Sequence, residues 1–160
     1  MGRQSWEGYF MDMAEHVATR STCMRRHVGA VAVDTRQRVI ATGYNGPVAN
    51  FPHCTPETCY RMANKIPSGE QLEKCYAVHA EQNLIVCAGK DLVDAYVVVT
   101  HQPCTTCLKM LIAAGVRQII WKNAYPDALA MDIMQKTGEV VDDYPMGKGN
   151  LWSYIRHIGC

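Results

Sequence analysis

The sequence predicts a layered α/β domain with parallel strands in its second half. Two observations carry this. From about Tyr76 onward, apolar β-branched runs alternate with segments of helical periodicity, the order expected of strand–helix–strand units. Earlier in the chain, two apolar β-branched runs flank a short polar turn, the pattern of a hairpin. The 160 residues suit one domain, residues 1–160, with a core large enough to need no disulfide staples.

The first element is a helix over residues 6–20, where Trp6, Phe10, Met13 and Val17 recur at helical spacing. Val28 to Asp34 and Arg38 to Thr42 form the hairpin. Gly43-Tyr44-Asn45-Gly46-Pro47 then ends the second strand with residues suited to unusual backbone angles. Residues 47–76 hold four of the seven prolines together with Cys54, Cys59 and Cys75. An irregular stretch of that length inside a domain is functional or is held by something other than a core. A helix over 79–88 precedes a strand from Ala95 to Thr100, and a helix over 104–114 is stopped by Gly115. A strand from Gln118 to Trp121, a helix over 127–136 stopped by Gly138, and a short strand from Glu139 to Val141 follow. In the segment 142–160, Leu151, Trp152, Tyr154, Ile155 and Ile158 are candidates for a short docking helix. Cys87, inside an apolar helix, is expected in the core.

Composition narrows the function. Hydrophobic content of 48% against 19% charged residues describes an ordinary globule, and no apolar run approaches the ~20 residues of a membrane helix. The residues after Met1 carry no apolar signal-peptide core, so a cytoplasmic protein, in a cell or in the host of a virus, is expected. Eight cysteines without a secretory signal read better as metal ligands than as disulfides. The net charge of +1, with no cluster of Lys and Arg, argues against tracking a long nucleic acid and leaves a small charged substrate open.

The chemistry sits in His79-Ala80-Glu81 and Pro103-Cys104-Thr105-Thr106-Cys107. One imidazole and two thiolates make three zinc ligands and leave a fourth position for water, the arrangement of a catalytic zinc. Alone, the CxxC pair could equally be redox-active, half of a zinc site or buried thiols. Helix geometry constrains the other half: residues i and i+2 lie about 200° apart on a helix, so His79 and Glu81 converge only in a first turn. Cys104 and Cys107, three apart, share one face at the start of the next helix, where free backbone N–H groups favour thiolates. Two helix starts following adjacent parallel strands would meet at the carboxyl edge of the sheet. This pairing of motifs is the signature of the zinc-dependent nucleobase deaminases. In that chemistry Glu81, which is no ligand, takes a proton from water, passes it to a ring nitrogen and helps the amine leave as ammonia. The alternative for Glu81 is a carboxylate that only complements the helix dipole.

With Arg20-Ser21-Thr22-Cys23, Val28-Gly29-Ala30-Val31, Thr42-Gly43-Tyr44-Asn45-Gly46-Pro47, Pro52-His53-Cys54 and His79-Ala80-Glu81-Gln82-Asn83, the chain resembles the deoxycytidylate (dCMP) deaminases of the cytidine deaminase-like superfamily. The resemblance implies a three-layer α/β/α sandwich with a mixed sheet of about five strands. It also implies hydrolysis of dCMP to dUMP for dTTP synthesis, in a homohexamer activated by dCTP and inhibited by dTTP. By the same resemblance Arg26 would contact the 5′-phosphate, with Arg25 able to exchange roles, Asn45 would bind sugar or base, and Tyr125 would lie near the base. Gly43, Asn45 and Lys90 are the candidate effector contacts. Arg25-Arg26 as a solvated turn, and Asn45 as a left-handed turn residue, are the plainer readings. Related enzymes carry an additional zinc near the irregular segment; here Cys23, Cys54, Cys59 and Cys75, with His53 in reserve, are the candidate ligands, unpaired buried thiols being the alternative. Two rivals to the function remain: a deaminase of another cytosine or adenine substrate, and a metal-binding module that kept the fold without catalysis.

Overall fold

The computed structural model describes residues 2–137 and 141–143. The predicted C-terminal docking helix, the stop at Gly138 and Cys160 lie outside the described residues.

Helix α1 (Trp6–Ala18) starts at Ser5, whose Oγ accepts the Gly8 N–H at 3.1 Å. Strands β1 (Gly29–Val33) and β2 (Val39–Tyr44) form the expected antiparallel hairpin, with a bulge between Ala32 and Val33. Its turn closes because Asp34 Oδ1 accepts the N–H groups of both Arg36 and Arg38. The irregular segment holds β3 (Gly46–Pro47), α2 (Tyr60–Ala63), a 3₁₀ turn at Leu72–Lys74 and β4 (Ala77–Val78). Then come α3 (Ala80–Ala88), β5 (Tyr96–His101), α4 (Thr105–Ala113), β6 (Gln118–Asn123), α5 (Ala128–Thr137) and β7 (Val141–Asp143).

The main sheet has the order β2-β1-β5-β6-β7. β1 is antiparallel to both its neighbours, and β5, β6 and β7 run parallel, so the sheet is mixed. Alternation along the strands sends side chains to two separate cores. Val31, Val33, Val98 and Ile120 meet Phe10, Met11 and Ala14 of α1 on one face. Ala30, Ala32, Val97, Val99, Ile119 and Trp121 meet α3, α4 and α5 on the other, through Leu84, Leu108, Leu111, Ala130 and Met134. The result is the three-layer α/β/α sandwich that the resemblance implies.

Three details differ from the sequence reading. The buried stripe of α1 is centred on Phe10, Met11 and Ala14, and Trp6, Met13 and Val17 form its margin, because the helix lies flat on two valine strands. Cys87 is exposed, beside an 80% exposed Val86; the buried stripe of α3 runs through Ala80, Glu81, Leu84 and Ala88 instead. The two helix starts do not follow adjacent parallel strands. α4 follows β5, but α3 follows β4, which pairs only with β3 in a separate two-stranded ribbon. α3 reaches the same sheet edge by packing across β1 and β2. At that edge the carboxyl ends of β2 and β5 flank the start of β1, since both are antiparallel to it.

Candidate metal centre and substrate cavity

His79 is the N-cap of α3 and Cys104 the N-cap of α4, so Glu81 and Cys107 each fall in a first helical turn. The α3 start is held by Gln82, whose side-chain oxygen accepts the His79 N–H at 2.9 Å, and by Asn83, whose Nδ2 donates to the Tyr44 carbonyl at 2.8 Å. Both residues belong to the motif quoted for the family resemblance, but only the structure shows what they do. His79 Nδ1 lies 3.6 Å from Cys104 Sγ and 3.4 Å from Cys107 Sγ. Around a tetrahedral zinc, with Zn–S near 2.3 Å and Zn–N near 2.05 Å, neighbouring N and S donors sit about 3.6 Å apart. Both N···S distances therefore fit the ion, through Nδ1 of the imidazole, and all three donors lie within 4.8 Å of one another. Among the described residues they are also the one group of three or more His, Cys, Asp or Glu ligand atoms within mutual coordinating reach.

A hydrogen bond from Cys107, with the nearby imidazole, brings the Cys104 thiol down to about 4, and the same bond drives Cys107 strongly upward. The Cys104 contact raises the His79 imidazole. Glu81 is 4% exposed, and burial lifts its carboxyl to about 7 against the downward pull of His79.

These groups lie along a cavity of about 550 Å³, within the range of small-molecule sites. Arg26, Asn45 and Tyr125 line it. The Arg26 guanidinium stacks over the Tyr125 ring at 4.9 Å. Arg25 also borders the cavity, but its Nη1 donates to the Ile66 carbonyl at 2.8 Å, so Arg26 is the freer cation. Asn45 is not left-handed. Its Oδ1 accepts the Val28 N–H and its Nδ2 donates to the Arg26 carbonyl, both at 2.8 Å, which ties the Arg26–Val28 strand approach to the end of β2. Its amide has one N–H left over for a ligand.

The effector candidates are scattered. Lys90 is exposed and away from the cavity wall. Gly43 is buried under α3, where an added Cβ would lie 2.2 Å from the Ala80 carbonyl oxygen and 2.7 Å from the Leu84 nitrogen. Its role in this fold is close packing against α3. Gly43→Ala should lower stability by about 1–3 kcal/mol. Because the displaced turn carries His79 and Glu81, metal affinity should fall with it; a thermal melt with and without added zinc checks both.

Cys23 and Cys75 line the cavity, while Cys54 and Cys59 are buried. Burial raises the Cys54 thiol, and the charges of Cys59, Cys23 and Cys75 raise it further, so the four are neighbours. They are not drawn into a closed ligand set, and His53 is exposed.

Asp127 was visible in the sequence only as a helix start. Its carboxylate accepts Ala130 N–H at 3.0 Å to cap α5, and Thr105 N–H at 2.8 Å and Thr105 hydroxyl at 2.7 Å. It thus satisfies a donor in the turn that carries both cysteines. Burial pushes its carboxyl up, but these hydrogen bonds outweigh the burial and hold it below the ordinary value. A lowered carboxyl stabilises the fold above its unfolded pKa of about 3.9 and loses that contribution as pH falls through its folded value. Asp127→Ala should therefore cost about 1–2 kcal/mol at pH 7 and progressively less as pH falls below the unfolded value of about 3.9, read from melts across that range. Metal affinity should drop about 10–100-fold.

A family model described as the cytidine and deoxycytidylate deaminase zinc-binding region matches residues 4–123. The chain is 39% identical over 127 residues to the deoxycytidylate deaminase of Mycobacterium phage D29, covering 76% of this chain and 97% of that one. It is 35% identical over 145 residues to the deoxycytidylate deaminase of Schizosaccharomyces pombe, covering 89% of this chain and 45% of that protein. Against the two yeast relatives the chain spans about half their length. The crystal structure of dCMP deaminase from the cyanophage S-TIM5 in complex with dCMP and dUMP aligns with a TM-score of 0.65 at 29% identity, over 84% of this chain and 93% of that one. The matched stretch contains His79, Glu81, Cys104, Cys107 and every strand that positions them, so the chain belongs to the cytidine and deoxycytidylate deaminase family.

Proposed function

We propose that this domain hydrolyses dCMP to dUMP and ammonia, with one zinc held by His79 Nδ1, Cys104 Sγ and Cys107 Sγ. The observation that carries the reading is the convergence of those donors, at tetrahedral spacing, beside an enclosed carboxylate that is not among them. Zinc in such a site supplies Lewis acidity that makes water a nucleophile near neutral pH. The chain's own groups do the rest. Glu81 removes the proton of the attacking water, delivers it to the ring nitrogen next to the amino-bearing carbon, and moves a second proton to the departing amine. Burial of Glu81 keeps bulk water from competing for those protons. Arg26, stacked on Tyr125, presents a cation for the 5′-phosphate, and the remaining Asn45 N–H faces the sugar or base.

Family membership supports the wider reading: dUMP made for dTTP synthesis, activation by dCTP, inhibition by dTTP, a homohexamer and a cytoplasmic location. Among the described residues no helix is long and apolar enough to cross a membrane. A second, structural zinc on Cys23, Cys54, Cys59 and Cys75 belongs to the same proposal, supported by the nearness of the other three thiols to Cys54. The test compares turnover of dCMP, dCTP, CMP and deoxycytidine by ultraviolet absorbance, each with and without dCTP or dTTP. Fast turnover of dCMP alone is expected. No turnover of any of the four, or preference for the nucleoside, would overturn the assignment.

A further inference from the structure

Beyond Arg26 the cavity wall carries a second, less obvious cation. Arg61, in α2 of the irregular segment, is 7% exposed and yet borders the cavity. One Nη donates to the Pro67 carbonyl at 3.0 Å, and the enclosed Nε has no hydrogen-bond partner. The ion pairs among the described residues join Arg38 to Asp34, Lys122 to Glu15 and Lys136 to Asp132, and neither Arg61 nor Arg26 forms one. A guanidinium withdrawn from water without a counter-ion is strongly unfavourable, and a fold that keeps one there is suited to an anion that arrives from outside.

The position narrows that anion. Arg61 lines the same cavity as Arg26, His79 and Tyr125, and Arg26 stands over the Tyr125 ring. The two arginines come from different segments, one before β1 and one in α2. Those segments are tied together where the Arg25 and Arg61 side chains donate to the consecutive carbonyls of Ile66 and Pro67. We propose that Arg61 is a second phosphate ligand, which closes with Arg26 a two-arginine cradle around the 5′-phosphate and so sets a preference for nucleotide over nucleoside. A phosphate monoester carries a charge of about −1.5 to −2 at neutral pH, which two guanidiniums match. The cradle also gives the Pro/Cys-rich segment a task in recognition. It rests on the reading of the cavity as a deoxynucleotide site.

The test uses the metal-loaded protein and its Arg61→Ala and Arg61→Lys variants, with calorimetric binding of dUMP and deoxyuridine beside kcat/KM for dCMP. Arg61→Ala should weaken dUMP and lower kcat/KM for dCMP by about 100-fold, leave deoxyuridine binding unchanged, and be partly rescued by lysine. Equal losses for dUMP and deoxyuridine would make Arg61 structural and overturn the cradle. So would unchanged dUMP binding with loss of metal, since thiolates on a second zinc are the other negative charge within the segment. If the unaltered protein binds dUMP no better than deoxyuridine, the deoxynucleotide reading itself fails and the cradle with it. A melt of each variant shows whether it folds, and the lysine variant keeps the charge in place if alanine does not.

Discussion

Glu81→Gln should leave the metal content unchanged and lower kcat for dCMP by roughly 10³–10⁴-fold. The glutamine keeps the volume of the buried side chain and removes only its capacity to carry a proton, which both proton transfers of the proposed reaction require. Because Glu81 is no ligand, KM should change far less than kcat. A second readout is independent of turnover. In the metal-free protein burial lifts the carboxyl from its ordinary 4.5 to about 7. For an acid whose folded pKa is raised, the folding penalty is absent below the unfolded value, grows between the two, and is complete above the folded one. Here it amounts to about 3 kcal/mol above pH 7. Metal-free Glu81→Gln should therefore melt higher than the metal-free parent at pH 8 and level with it at pH 4. Near-normal turnover by the variant would leave Glu81 as a helix-start carboxylate and remove the deaminase mechanism with it.

The three-donor cluster was legible because its constraint is local. His79 and Glu81 can cooperate only in a first helical turn, and Cys104 and Cys107 share a face only in a helix, so spacing alone placed all four. The hairpin and the parallel β5-β6-β7 half were readable for a similar reason, since alternation and strand–helix order are short-range patterns. What depends on distant partners was not. The stripe of α1 turned toward Met11 and Ala14 because the facing strands present Val31, Val33 and Val98. α3 reached the sheet edge from outside the sheet, through β4, a route that no periodicity in residues 47–76 encodes. Arg61 belongs to that same stretch. Its burial and its lack of a counter-ion follow from the Pro67 carbonyl and from the packing of one loop against another, neither of which a lone arginine in a polar sequence announces. The cysteines of that stretch were identifiable as a type, and Cys54, Cys59, Cys23 and Cys75 are neighbours, but neighbourhood does not set ligand geometry.

Removing the metal should be the other large effect. Cys107→Ser replaces a soft thiolate by a hydroxyl that does not ionise near neutral pH, and the remaining donors, His79 and Cys104, sit on different helices. Zinc affinity should fall by at least about 100-fold and dCMP turnover to background. Stability should fall as well, because an ion held by His79, Cys104 and Cys107 would link the starts of α3 and α4. With free zinc at about 1,000 times its dissociation constant, binding contributes about 4 kcal/mol, so chelation should lower the melting temperature by roughly 8–16 °C for a domain of this size. Added zinc should restore both melting temperature and turnover in the unaltered protein and neither in Cys107→Ser. Metal content separates the two proposed sites: about two zinc ions per chain in the unaltered protein, and about one in either Cys107→Ser or Cys59→Ser, with turnover lost only in the first. One zinc in the unaltered protein, and the same in Cys59→Ser, would eliminate the structural site while leaving the catalytic one intact. A Cys107→Ser variant that kept its zinc and its turnover would contradict the three-donor centre itself.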